Sequence, residues 1–325
     1  SGVRLLTRIL VTGASGFIGR ALCPALETAS YTVIATSRTT QQLTSVSEVR
    51  QIANLTDPTS VRAAMEGIDV VIHLAARAHI MDDHSSNPLA EYRRINVDGT
   101  ATLAEAASNT GVKRLIFLSS IKVNGEQTFK KPYAASDTPA PEDAYGISKA
   151  EAEEKLKEIA AGTGLEAVII RTPLVYGPGV RANFLSLVSL ANGGLPLPFG
   201  AITKNRRSLI YIGNLVDVLV SATKHPTASG QTFLVRDGTD LSTEKLVRLL
   251  RAAFGKPARM ISIPPTILRG LLSLLGKKSI ADRLLGSLAV DDRMTRNVLG
   301  WSPAFSVEDG LKQTVDWYQA IKAKN

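Results

Sequence analysis

The segment Ile9-Leu10-Val11-Thr12-Gly13-Ala14-Ser15-Gly16-Phe17-Ile18-Gly19-Arg20 joins a short β-branched run to three glycines spaced G-x-x-G-x-x-G, and a helical pattern follows. Such a run, bounded by a turn, reads as a buried strand. The glycines permit a tight turn, close backbone approach to a pyrophosphate and close packing of helix on strand. The first N–H groups of the helix favour negative charge. This setting predicts a dinucleotide-phosphate cradle at Gly13, Gly16, Phe17, Ile18 and Gly19.

Outward from that turn, apolar runs at 8–11, 32–36, 69–74, 114–119 and 167–171 alternate with helical stretches. Asp57-Pro58 supplies an N-cap and first helical residue before 61–65, and 89–110 reads as one long helix. Strand, helix, strand repeated predicts an α/β, Rossmann-type doubly wound parallel sheet with right-handed crossovers. After Arg171, Gly177, Pro178, Gly179, Gly193, Gly194, Pro196 and Pro198 break the alternation. We therefore expect a binding domain over 3–175 and a smaller, mainly helical substrate domain over 176–325. The two interleave, with about 208–237 returning to the first through a helix at 214–224 and a strand at 231–235. Ser306 and Asp309 have the spacing of a capping box for a last helix running to Lys324.

The second strand ends Ala35-Thr36-Ser37-Arg38, without the acidic residue that binds the ribose 2′-hydroxyl of NAD(H). A guanidinium pairs well with phosphate, so Ser37 and Arg38 point to NADP(H) as the preferred cofactor and NAD(H) as the alternative.

Composition narrows the partners. The 325 residues carry 38 Lys plus Arg against 29 Asp plus Glu, a net +9 that suits anionic ligands. Nucleic acid is disfavoured, because the densest basic run, 204–207, has no interleaved aromatics and only 5% of the chain is aromatic. With 44% apolar residues, disorder is excluded. A lone Cys23 cannot form an internal disulfide, no secretory leader is evident, and the apolar stretch 261–276 is interrupted by Pro264, Pro265 and Arg269. The expectation is a soluble, cytoplasmic protein without stable membrane insertion. His73, His79 and His84 lack metal-ligand spacing, so no metal is expected.

Tyr145-Gly146-Ile147-Ser148-Lys149 sets a phenol and an ammonium one helical turn apart. A cation within reach lowers a tyrosine's pKa, and this is the role expected of Lys149. Ser119 and Ser120 end a predicted strand, where ligands bind in open α/β sheets.

The glycine turn, the strand-end serines and Y-x-x-x-K, in this order, resemble the extended short-chain dehydrogenase/reductases over nearly the whole chain. The group that acts on nucleotide sugars is the nearest likeness. Asn54-Leu55, His73-Leu74-Ala75-Ala76, Asn96-Val97-Asp98-Gly99-Thr100 and the run from Arg171 to Pro178 support it. The resemblance implies a catalytic triad of Ser120, Tyr145 and Lys149. It implies cofactor contacts from Asn54, Leu55, Leu74, Ala75, Ala76, Asn96, Tyr145, Lys149 and Pro173. Substrate contacts would come from Ser119, Ser120, Lys122, Asn183, Arg207 and Arg283, the arginines holding a nucleotide diphosphate. It also implies a homodimer through the helices near 89–110 and 145–161. The stripe Ile267, Leu271, Leu274 and Leu275, beside Lys277 and Lys278, is expected to pack against the second domain.

Where sugar 4,6-dehydratases of this family place Asp-Glu, this chain has Ile121-Lys122. Without those carboxylates, dehydration is disfavoured. The Ser-Ile-Lys-Val-Asn-Gly-Glu version is similar to bacterial 4-ketoreductases, which reduce UDP-4-keto-6-deoxy-N-acetylhexosamine in surface-polysaccharide synthesis. The alternatives are a UDP-hexose 4-epimerase with bound NAD and, further off, a non-catalytic NADP(H)-sensing or RNA-binding relative.

Overall fold

A computed structural model describes residues 6–39, 43, 45–77 and 87–323. His79, His84 and Lys324 lie outside them. Among the described residues, seven parallel strands form the main sheet: β1 (Arg8–Thr12), β2 (Thr32–Ser37), β3 (Glu48–Gln51), β4 (Val70–His73), β5 (Arg114–Ser120), β6 (Glu166–Thr172) and β9 (Thr232–Leu234). Their order is β3-β2-β1-β4-β5-β6-β9, and the direction of winding reverses between β1 and β4. Ligands bind at that reversal in open α/β sheets. A separate pair, β7 (Leu174–Tyr176) and β8 (Leu209–Tyr211), is also parallel.

Alternation along the strands builds two cores. Ile9, Val11, Ile72, Ile116 and Ile170 face α1 (Phe17–Thr28), and α7 (Ile212–Lys224) packs on α1. Leu10, Val71, Phe117 and Ile169 face the opposite layer. That layer holds α2 (Pro58–Ala64), α4 (Gly99–Asn109) and α5 (Ala144–Thr163). Buried parallel strands need apolar residues on both faces, so these segments were readable as apolar runs. The expected helix at 89–110 is three pieces: α3 (Pro88–Tyr92), a π-helical turn (Arg93–Asp98) and α4.

The remaining helices are α6 (Ala182–Asn192), α8 (Thr243–Ala253), α9 (Pro265–Leu274), α10 (Lys278–Leu285), α11 (Arg293–Leu299) and α12 (Val307–Ala323), of which α6, α8, α11 and α12 contribute to the first core. The Ser306 hydroxyl accepts from the Asp309 N–H at 3.1 Å and the Asp309 carboxylate accepts from the Ser306 N–H at 3.2 Å, so the capping box opens α12 as expected. Leu197, Phe199, Ile202, Val247 and Leu268 make a separate small core under α9. One expectation fails here. On α9 only Leu268 is buried, while Ile267, Leu271, Leu274 and Leu275 are 53, 49, 86 and 69% exposed. No helix among the described residues is long and apolar enough to cross a membrane.

Candidate active site

Backbone geometry makes the glycine turn specific. Gly13 has φ +71°, and a Cβ there would meet the Ala75 nitrogen at 2.8 Å. A Cβ on Gly19 would stand 2.4 Å from the Gly13 carbonyl oxygen. The turn therefore lies directly against the end of β4, and α1 sits directly on the turn. Gly16 caps α1 without a side-chain hydrogen bond, which leaves the first-turn N–H groups to an anion. Residues and backbone here fit a dinucleotide pyrophosphate.

Thr12 and His73 order the neighbouring strand ends, a role the sequence reading missed. The Thr12 hydroxyl lies 2.7 Å from His73 Nδ1 and accepts from the Ala75 N–H at 3.1 Å, fixing Leu74-Ala75-Ala76 beside the glycines. His73 Nε2 lies 3.1 Å from the Thr100 hydroxyl, and its ring stacks on Phe117. Burial, helped by the Lys149 charge, pushes the imidazole down to about 3, so it is neutral. Asn96, expected at the cofactor, has its side chain fully engaged elsewhere. It accepts from the Arg77 N–H and donates to the Arg77 carbonyl and the Ser148 hydroxyl. It orients the segment after Ala76 and ties it to α5.

The end of β2 has the partly exposed Ser37 and the exposed Arg38, whose carbonyl accepts from Gln51 Nε2 at 3.2 Å. Asn54 accepts from the Thr56 N–H, and Leu55 packs on Gly99. Pro173 is buried between β6 and β7, and Phe17 and Ile18 open α1 against the first core.

At the β5 end, Asp143 caps α5 by accepting from the Gly146 N–H at 2.7 Å. A Cβ on Gly146 would meet the Lys122 carbonyl oxygen at 2.8 Å, so glycine lets the first turn of α5 close onto the Ser120 segment. Tyr145 and Ser120 are thereby hydrogen-bonded. Burial, then the charges of Asp143 and Tyr92, push the Tyr145 phenol up to about 12, and the Ser120 bond only partly opposes them. Lys149, one turn on, is buried; its ammonium donates to the Leu118 carbonyl at 2.8 Å and sits 4.1 Å from the Phe117 ring centroid. Burial lowers it to about 7, against the pull of Glu153. The expected acidification of Tyr145 by Lys149 is thus not what this geometry produces, because desolvation governs both groups.

Ser119 needs correction as a substrate contact. Successive strand residues point to opposite faces, so when Ser120 faces the cleft Ser119 faces inward. Its hydroxyl donates to Glu153 at 2.5 Å. Glu153 in turn pairs with Arg171 at 2.6 Å, and Arg171 donates to Asn124. Lys122 is held at the mouth by Asp143 at 2.5 Å and Glu126 at 2.7 Å. Burial works against its charge, but these bonds outweigh it and hold the amine above its usual value.

Beyond α6, Arg207 is pinned by paired backbone bonds with Leu241. Burial and the charge of Arg283 lower its guanidinium from the usual value, so the structure brings these two expected phosphate ligands together. Asn183 follows Ala182, which opens α6 at φ +52°, a conformation strained for a residue with a side chain.

A phosphate cradle after β1 and a Ser-Tyr pair at the end of β5, both at the carboxyl ends of parallel strands, define a dinucleotide-dependent redox enzyme. The chain belongs to the NAD dependent epimerase/dehydratase family, whose model matches residues 9–235. It is 44% identical to a Vibrio cholerae protein named UDP-glucose 4-epimerase, over 98% of this chain and 96% of that protein. It is 31% identical to the N-acetyl-alpha-D-glucosaminyl-diphospho-ditrans,octacis-undecaprenol 4-epimerase of Escherichia coli O157:H7, over 97% of this chain and 96% of that one. Among solved structures, MoeE5 in complex with UDP-glucose and NAD superposes with a TM-score of 0.78 at 25% identity, covering 97% of this chain and 99% of that chain. The protein is an enzyme of this family.

Proposed function

We propose that the chain reduces the 4-keto group of a UDP-4-keto-6-deoxy-N-acetylhexosamine with NADPH, giving the UDP-N-acetylquinovosamine or UDP-N-acetylfucosamine type of product. One observation carries this reading. The end of β2 offers the Ser37 hydroxyl and Arg38 guanidinium and, at those positions, no carboxylate to bind a ribose 2′-hydroxyl or repel a 2′-phosphate. A reductase takes a fresh cofactor every turnover, whereas an epimerase oxidises and re-reduces one sugar and gains from keeping NAD bound.

When bound, the nicotinamide supplies hydride to C4. Tyr145, held protonated by its surroundings, is in the form that ketone reduction consumes, and it donates its proton to the carbonyl oxygen. Ser120 hydrogen-bonds the same oxygen. Lys149, one turn along α5, contacts the nicotinamide ribose, and solvent reprotonates the phenolate left behind. Arg207 and Arg283 hold the two phosphates, and Asn183 and Lys122 are the further substrate contacts in this reading.

A second reading, UDP-hexose 4-epimerase with retained NAD, is favoured by the name of the 44% identical relative, and 4-epimerisation also by that of the 31% identical one; both names support it more directly than they support the reductase. The same Ser120 and Tyr145 would then move the proton in both directions. Following NADPH absorbance with the ketosugar, alongside epimer formation from UDP-glucose and UDP-N-acetylglucosamine, separates the two. We expect one NADPH consumed per ketosugar, from protein that purifies largely free of cofactor, and loss of roughly 100-fold or more in kcat for Tyr145→Phe. Epimers formed without net NADPH consumption, from protein carrying NAD, would replace the reductase with the second reading.

A further inference from the structure

The hairpin of α9 and α10 is apolar well beyond what its own packing uses. Leu268 and Leu272 seat α9 on the separate small core. Ile267, Leu271, Leu274 and Leu275 recur at i, i+4, i+7 and i+8 on the adjoining face and stand largely exposed. Contiguous exposed apolar surface of this kind marks an interaction site.

Charge says what covers it. Between 265 and 285 the chain has four basic residues (Arg269, Lys277, Lys278 and Arg283) and one acid, Asp282, so this hairpin holds +3 of the net +9. Asp282 is already paired with Arg269. Lys277 and Lys278 are exposed at the tip, directly after the most exposed leucines. A second copy seated on this patch across a two-fold axis would bring like charges together. An anionic phospholipid surface complements both halves of the pattern, acyl chains for the leucines and headgroups for the lysines.

We propose that the α9–α10 hairpin docks this protein peripherally on an anionic phospholipid bilayer, with Leu274 and Leu275 at the headgroup–acyl boundary. Neither helix spans the bilayer; α9 has 10 residues. Helix α10 also carries Arg283, one of the expected substrate contacts, so docking holds the helix that bears it at the membrane surface. The inference is independent of which C4 reaction the site performs.

Flotation of the full chain with phosphatidylglycerol/phosphatidylcholine vesicles, against phosphatidylcholine alone, tests it. Partition into the anionic vesicles that falls with added salt is expected. Lys277→Ala/Lys278→Ala should weaken it roughly 30-fold, and Leu274→Glu/Leu275→Glu should abolish it. These side chains are exposed, and unchanged melting curves for the variants will show that the fold is intact. Failure of the unmodified chain to float would overturn the proposal, as would equal flotation of Leu274→Glu/Leu275→Glu. A dimer that dissociates in that variant while flotation is unchanged would assign the stripe to a second copy and likewise overturn it.

Discussion

Lys149 shows how far a spacing can be read. Four residues from Tyr145 is one helical turn, so both groups were expected at one cleft, but where the ammonium points depends on Leu118 and Phe117, which no local pattern links to it. Its burial has a measurable consequence. The amine titrates near 7 in the fold against an ordinary 10.5, so between those values the unfolded chain binds the extra proton and stability rises with pH. Below about 7 both states are charged and the full burial penalty is present. Lys149→Met should therefore melt several degrees above the unmodified protein at neutral pH, and the gap should close as pH rises towards 10.5. A gap that is constant, or widens, across that range would show that the ammonium is not penalised in the fold. Stability surrendered at this residue is the cost of burying an amine against the Leu118 carbonyl and the Phe117 ring.

Single elements differ in how clearly they announce themselves. The strands β1, β4, β5 and β6 are apolar on both faces and stood out. Strand β3, Glu-Val-Arg-Gln at a sheet edge with no buried residue, gave no signal. The stripe on α9 has a helical period, but periodicity states that a face is apolar and not what covers it. Ser119 and Ser120 illustrate the same gap, since alternation guarantees opposite faces while the register decides which one meets the cleft. Between α5 and β6 the tie is the Glu153–Arg171 pair, both side chains 2% exposed and 18 residues apart, with Ser119 and Asn124 completing it. Glu153→Ala should cost about 3–5 kcal/mol by urea denaturation, because it strands the Arg171 guanidinium. Glu153→Leu/Arg171→Met should recover most of that loss. If the double variant is as unstable as the single, the buried charge is not the cause.

At the scale of the whole molecule, the return of the chain to the main sheet was legible because a helical pattern and a β-branched run reappear after the glycine- and proline-rich stretch; they are α7, which packs on α1, and β9, which pairs with β6. Pairing of two chains belongs to this scale too. The outer faces of α4 and α5 are the surfaces through which the family resemblance implies a four-helix contact. Light scattering at micromolar concentration is expected to give a dimer, and a monomer alone would remove that reading. The sheet order bears finally on synthesis. The β9 partner of β6 is made about 60 residues later, which at ribosomal rates of about 5–20 residues per second leaves the β6 edge open for roughly 3–12 s. During that interval the nascent sheet presents an unpaired, apolar parallel edge, the kind of surface on which neighbouring nascent chains aggregate. Slowing translation between 173 and 231 should therefore lower the yield of folded protein more than slowing it after Leu234.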